Sequence, residues 1–83
     1  MRTLHIVTDP NDPLPLRVVE QDGASSAAIL LLQDGVFAQV ERGDVYACAD
    51  DVRARGLASP YTLVDYDGII DLIFSHDQVI CWH

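Results

Sequence analysis

Two cysteines are the residues of this sequence best suited to covalent chemistry, because a thiolate is a strong nucleophile. Cys48 follows the apolar residues 45–47 and is followed closely by Asp50 and Asp51. A position at the end of a strand and before a helix favours the thiolate, whereas two neighbouring carboxylates oppose it. A free cysteine in an apolar strand is also a common small core residue. We therefore interpret Cys48 first as a packing residue and second as a reactive thiol.

Cys81 begins the triplet Cys81-Trp82-His83. In a strand, Cys81 and His83 project from the same face, where the imidazole could act as a base for the thiol or both side chains could bind a soft metal ion. Two ligands do not complete a metal site, so we predict no metal and no other cofactor. A structural Cys81 and a functional Cys81 both remain open.

Trp82 is a large aromatic residue that needs either a core pocket or a partner protein. We predict a partner interface that includes Trp82, Phe37 and Tyr66. His5, in an early strand, and His76, at a helix end, are expected to be a packed and a capping histidine. The sequence contains no GxGxxG, GxxxxGK[ST], HExxH or GxSxG motif, and we assign no catalytic residue.

Charge and composition narrow the classes of partner. Eleven Asp and two Glu stand against five Arg and no Lys, which gives a net charge of −8 that repels phosphate backbones and anionic membranes. We therefore expect no direct binding to nucleic acid or membrane. Almost half of the residues are apolar, which is high for so short a chain and favours a buried interface with another subunit. The longest apolar run, residues 27–32, is too short to span a bilayer, and we expect a cytoplasmic protein.

The pair Asp34-Gly35 decides the fold class, since it is typical of a β-hairpin but also fits a strand followed by a short helix. Residues 27–32 are continuously apolar, as in a strand covered on both faces of a parallel sheet, and this favours the second interpretation. We predict one small α/β domain over residues 1–83, with a mostly parallel sheet of four to five strands and helices on both faces. The predicted strands are 4–7, 27–32, 45–49, 61–66 and 78–82. The predicted helices are 14–21, a short turn after Gly35, 52–55 capped by Asp50 or Asp51, and 68–75 capped by Asp67.

Several segments, in this order, resemble the TusB/DsrH family of small subunits of sulfur-relay complexes. They are LHIV at 4–7, LLLQDGV at 30–36, VYA at 45–47, ARGL at 54–57, LVDYDGIIDL at 63–72, and Trp82 after a short apolar strand. The resemblance implies a parallel α/β domain, and it favours the strand-turn-helix interpretation of Asp34-Gly35.

The resemblance also implies partners. Such subunits assemble with paralogous TusC/DsrF-type and TusD/DsrE-type subunits, accept persulfide sulfur from a TusA-like carrier, and pass it to a TusE/DsrC-like carrier. The pathway is 2-thiouridine formation in tRNA or sulfur oxidation. The main reactive cysteine belongs to the TusD/DsrE-type subunit, so this chain is expected to be a non-catalytic subunit of a sulfurtransferase complex. Residues 14–21 lack the cysteine that some DsrH-type members carry in the first helix.

A second hypothesis belongs to a different class. In it the chain is a stand-alone small thiol protein, monomeric or homo-oligomeric, that carries a persulfide on Cys81 or Cys48. Loading with a sulfur donor distinguishes this protein from a relay subunit that acts through its partners.

Overall fold

The computed structural model describes residues 2–21, 27–40 and 44–82, and strands alternate with helices along them. The elements are β1 (Thr3–Val7), α1 (Leu14–Gln21), β2 (Ala27–Leu31), a 3₁₀ helix (Gln33–Phe37), β3 (Val45–Cys48), α2 (Ala49–Ala54), β4 (Thr62–Val64), α3 (Tyr66–Ser75) and β5 (Gln78–Trp82).

The five strands form one sheet in the order β4-β3-β2-β1-β5, and every neighbouring pair is parallel. The α/β prediction is therefore confirmed, with five strands. The first three connections advance across the sheet in one direction, and α3 then crosses back from β4 to β5. Since right-handed crossovers place connections of opposite direction on opposite faces, α3 covers one face while α1, the 3₁₀ helix and α2 cover the other.

Two apolar cores follow from this arrangement, one on each face of the sheet. The larger core contains Val19 of α1, Val36 of the 3₁₀ helix and Val52 of α2, packed on alternate strand residues such as Ile29 and Leu31. The smaller core contains Leu4, Ile6, Ala28 and Leu30, against which Ile69 and Leu72 of α3 pack. Residues 27–31 are buried throughout because the central strand β2 is covered on both faces.

The pair Asp34-Gly35 lies inside the 3₁₀ helix that follows β2, and Gly35 is packed against β1. A Cβ atom at Gly35 would lie 2.0 Å from the carbonyl oxygen of Val7, so only glycine fits against the end of β1. That same oxygen accepts a hydrogen bond from the backbone N–H of Leu32, at 3.0 Å. The strand-turn-helix prediction is confirmed, and the hairpin alternative is excluded.

Two predicted helix caps were wrong. Helix α3 begins at Tyr66, and its cap is Asp65, whose carboxylate accepts a 2.8 Å hydrogen bond from the N–H of Gly68; the predicted cap, Asp67, lies in the first turn. Helix α2 begins directly after β3, so Cys48 occupies the cap position, and Asp50 and Asp51 lie in its first turn. The predicted strand 61–66 is shorter at both ends because Tyr61 bonds to another loop and Asp65 starts the helix.

Candidate functional site

Cys48 lies at the carboxyl end of β3, half-buried, on the face of the sheet that α3 covers. Its neighbour in the sheet is Val64 of β4. The position at the start of a helix was predicted correctly, but α2 has only six residues and carries two carboxylates in its first turn. Those charges offset the positive end of the helix dipole beside Cys48.

Cys81 lies on the edge strand β5 and is exposed to solvent. It is level with Ile6 of β1 and shares the face of Ile6, which is also the α3 face. Because β2 and β1 stand between β3 and β5, the two cysteines are separated by three strand spacings, roughly 14 Å. The structure therefore does not bring the two thiols together, and they cannot form a disulfide within one chain.

The predicted pairing of Cys81 with His83 lies outside the described residues, because His83 is not among them. Within residues 2–21, 27–40 and 44–82, no group of three or more His, Cys, Asp or Glu side chains is arranged to hold a metal ion. The other two histidines have different contacts: His5 binds the indole of Trp82, and His76 binds the end of α3.

Trp82 lies on the opposite face from Cys81, and its indole contacts His5. The indole N–H donates a 3.1 Å hydrogen bond to Nδ1 of His5, and the rings stack at a centroid distance of 6.2 Å and an interplanar angle of 23°. His5 is 1% exposed, which makes it the packed histidine that the sequence predicted. Trp82 itself is half-buried against the larger core, so a core pocket accounts for part of its surface, and its contact with a partner stays a prediction.

His76 forms the C-terminal cap of α3. Its Nδ1 is 2.6 Å from the carbonyl oxygen of Leu72 and 3.2 Å from the hydroxyl oxygen of Ser75. The imidazole thus contacts a carbonyl of the last helical turn, which also accepts a 3.0 Å hydrogen bond from the Ser75 hydroxyl. The expectation of a capping histidine agrees with this contact.

Sequence reasoning missed a small polar network at the carboxyl edge of the sheet. Gln33 adopts a left-handed backbone with φ of 53°, and its N–H donates a 2.8 Å hydrogen bond to the Asp51 carboxylate. Arg55 bridges Asp51 and Asp34, with a distance of 3.0 Å from Nε to the Asp34 carboxylate. The network ties the 3₁₀ helix to α2. The Asp51 and Arg55 spacing of four residues was a usable signal for part of it.

Phe37 borders a groove of about 360 Å³ between residues 36–39 and residues 57–61. The Tyr61 hydroxyl accepts a 2.7 Å hydrogen bond from the N–H of Val40 and donates a 3.0 Å bond to the carbonyl of Ala38. Tyr61 therefore fixes the two sides of the groove to each other. Phe37 is half-exposed there, and its place in an interface stays a prediction.

A second exposed apolar region lies on the other face, along α3 and β5. Tyr66 and Phe74 of α3 are 73% and 84% exposed, and Ile73 of α3 and Val79 of β5 are also exposed. Val79 and Cys81 share the α3 face, because they are level with Leu4 and Ile6 of the smaller core. We call Tyr66, Ile73, Val79 and Cys81 the α3–β5 surface.

The crossover geometry turns one flank of α3 toward the side of the sheet where the edge strand β5 lies. Ile69 and Leu72 face the sheet. Helix α3 runs antiparallel to the strands as the chain crosses from β4 to β5, and on such a right-handed helix Tyr66 and Ile73 lie next to those two residues on the β5 side. The apolar flank of α3 and the exposed side chains of Val79 and Cys81 therefore lie on the same face of the sheet.

The described residues contain no helix that is long and apolar enough to cross a bilayer. Comparison with known proteins adds family information. Residues 15–79 match the family model described as DsrH like protein. The chain is 35% identical over 69 aligned positions to proteins named Protein TusB from Yersinia pestis (strain Pestoides F) and Yersinia pseudotuberculosis serotype O:1b (strain IP 31758). Each alignment covers 65% of this chain and 73% of the relative.

Proposed function

The chain belongs to the TusB/DsrH family, and from this premise we propose that it is a non-catalytic subunit of a cytoplasmic persulfide-relay complex that serves tRNA 2-thiouridine formation or sulfur oxidation. The observation that carries the proposal is the match over residues 15–79, which contains strands β2, β3 and β4 completely and reaches the first two residues of β5. Residues 1–83 act as a single domain in this proposal.

The surroundings of the thiols support a non-catalytic role. A catalytic cysteine needs a base or a positive potential close to its sulfur. His5 is bound to Trp82 and His76 to the end of α3, so both are committed to structural contacts. The two arginines that follow Cys48 in the sequence, Arg53 and Arg55, are paired with Asp50, Asp51 and Asp34.

The exposed apolar side chains support a role within an assembly. An aromatic ring that is 84% exposed, as in Phe74, contributes to stability mainly when a partner covers it. We propose that the partners are TusC/DsrF-type and TusD/DsrE-type subunits, together with TusA-like and TusE/DsrC-like sulfur carriers. The acidic surface, with its net charge of −8, favours carriers with a basic face.

Native mass spectrometry of the protein purified from its own cells, without overexpression, tests this proposal. We expect a hetero-oligomer that contains two paralogous subunits of similar fold. The Cys48→Ser/Cys81→Ser variant, introduced at the native locus, is expected to keep sulfur transfer by the complex. A chain recovered without paralogues, or transfer abolished by loss of these two thiols, contradicts the proposal.

A second candidate function, a stand-alone thiol protein, is favoured by the exposure of Cys81. In this reaction the Cys81 thiolate attacks the outer sulfur of a donor persulfide, and the donor leaves as a thiolate. Mass spectrometry after incubation with such a donor should show the addition of one sulfur to the wild type and to Cys48→Ser, but not to Cys81→Ser. Equal loading of all three proteins, or of none, contradicts this candidate.

A further inference from the structure

The α3–β5 surface is free of charged side chains, although the chain as a whole is strongly acidic. The acidic residues of α3, Asp67 and Asp71, lie about 100° and 140° around the helix from Tyr66, away from the flank with Tyr66 and Ile73 that faces β5. Strand β5 itself carries no charged residue, and the carboxylate next to its first residue, that of Asp77, accepts a hydrogen bond from the backbone N–H of Arg2. A protein that docks here therefore meets an apolar patch whose own side chains carry no charge.

The backbone of β5 offers hydrogen bonds to a further strand. The N–H of Gln78 donates to the carbonyl oxygen of Arg2, at 3.1 Å, and the carbonyl oxygen of Trp82 accepts from the Thr8 hydroxyl, at 3.1 Å. Backbone groups alternate in direction along a strand, so those of Val79 and Cys81 are directed away from β1.

The two edges of the sheet differ in how well they are protected. Edge strand β4 has three residues and follows Pro60, and both features discourage pairing with another strand. Edge strand β5 has five residues, with no proline and no charged side chain to prevent such pairing.

We propose that the α3–β5 surface docks a second copy of this chain, with the two β5 strands paired antiparallel about a twofold axis at Ile80. This register overlaps all five residues of β5 and places the Val79 backbone opposite that of Cys81 of the second copy, so that their outward N–H and C=O groups bond to each other. Residues that lie opposite each other in an antiparallel pair project to the same face of the sheet. Val79 therefore packs on Cys81 of the second copy, on the face where α3 lies.

Charge and symmetry favour a second copy over a partner of different sequence. A basic partner would find no carboxylate on this surface, whereas a second copy brings one uncharged apolar surface against another. The twofold axis also turns the two α3 flanks that carry Tyr66 and Ile73 toward each other on one face of the joined sheet. This contact goes beyond the proposed relay function, since it requires neither a paralogous subunit nor a sulfur carrier.

Single-cysteine cross-linking tests the register in the purified chain. In a Cys48→Ser/Cys81→Ser background, Ile80→Cys places two thiols directly opposite across the axis, with Cα atoms about 4.5 Å apart, which suits a disulfide. The matched control Gln78→Cys places its two thiols four residues out of register, roughly 13 Å apart. Under mild oxidation we expect a covalent dimer from Ile80→Cys and a monomer from Gln78→Cys. Equal cross-linking of both variants, or none in a folded Ile80→Cys protein, overturns the proposal.

Sedimentation of a variant with a proline in β5 provides a second test. The substitution is chosen so that β5 stays paired with β1. The N–H of Val79 is directed outward, so Val79→Pro removes a docking hydrogen bond while the edge strand keeps its bonds to β1. We expect the wild type to dimerise at micromolar concentrations and Val79→Pro to weaken the dimer by at least about tenfold in Kd. The control Leu63→Lys, an exposed apolar residue on β4, should leave the dimer unchanged. A monomeric wild type, or equal effects of the two substitutions, contradicts docking at β5.

Discussion

At the scale of single residues, Gly35 is held by a contact that no other amino acid permits. Its α-carbon packs so closely on the end of β1 that a methyl group would overlap the Val7 carbonyl. We expect Gly35→Ala to destabilise the chain by more than about 3 kcal/mol, because the backbone of the 3₁₀ helix or of β1 must move. The control is Gly56→Ala, at φ of 63° with nothing within 4 Å, which should lose only about 1 kcal/mol from backbone strain. Urea denaturation followed by circular dichroism measures both values, and equal losses would contradict the overlap.

The hydroxyl of Tyr61 is a second residue-scale contact with a measurable contribution. It bonds to both the N–H of Val40 and the carbonyl of Ala38, so Tyr61→Phe leaves two backbone groups without that partner. We expect a loss of about 1 to 2 kcal/mol in the free energy of unfolding. Tyr66→Phe removes the same atom from a side chain that is 73% exposed, and it should change stability little. A similar loss from both substitutions would show that the Tyr61 bonds contribute nothing specific.

At the scale of secondary-structure elements, the cap of α3 tests a boundary that the sequence left ambiguous. Asp65 accepts a hydrogen bond from Gly68, whereas Asp67 interacts only with the helix dipole. Asp65→Ala should therefore cost about 1 kcal/mol of stability, and Asp67→Ala a few tenths. Thermal denaturation of the two variants side by side measures the difference. The reverse order of melting temperatures would place the cap at Asp67 after all.

The elements also show which parts of the fold the sequence could predict. A continuous apolar run identified the central strand β2 because both of its faces are buried, and the residues of β5 were predicted at their observed bounds although that edge strand is only partly buried. The caps of α2 and α3 were missed because Asp50, Asp51 and Asp67 all suit a helix start, whereas the helices begin one or more residues earlier and their caps are Cys48 and Asp65. The pairing of His5 with Trp82 joins residues 77 positions apart, which no local pattern reveals.

At the scale of the whole molecule, the proposed dimer and the proposed thiol chemistry compete for one residue. Cys81 is exposed in the single chain but lies under the second copy when two β5 strands pair. We expect alkylation of Cys81 to slow as protein concentration rises through the dimer range, because only the monomer presents the thiol. Cys48 lies three strands away, and its alkylation rate should not depend on concentration. Mass spectrometry of quenched time points separates the two sites, and parallel behaviour of both thiols would contradict the coupling.

The net charge of the whole molecule predicts opposite salt responses for the two kinds of partner. Two copies of a chain with charge −8 repel each other through solvent, so salt should strengthen a dimer whose contact surface is itself uncharged. A carrier with a basic face is attracted by the same charge, so salt should weaken its binding. Between about 50 mM and about 500 mM sodium chloride, we expect the Kd of self-association to fall and the Kd for such a carrier to rise. Sedimentation at both salt concentrations measures the first quantity, and titration calorimetry measures the second. Self-association that weakens with salt would mean that ion pairs hold the two copies together, which is incompatible with docking through Val79, Cys81 and the apolar flank of α3.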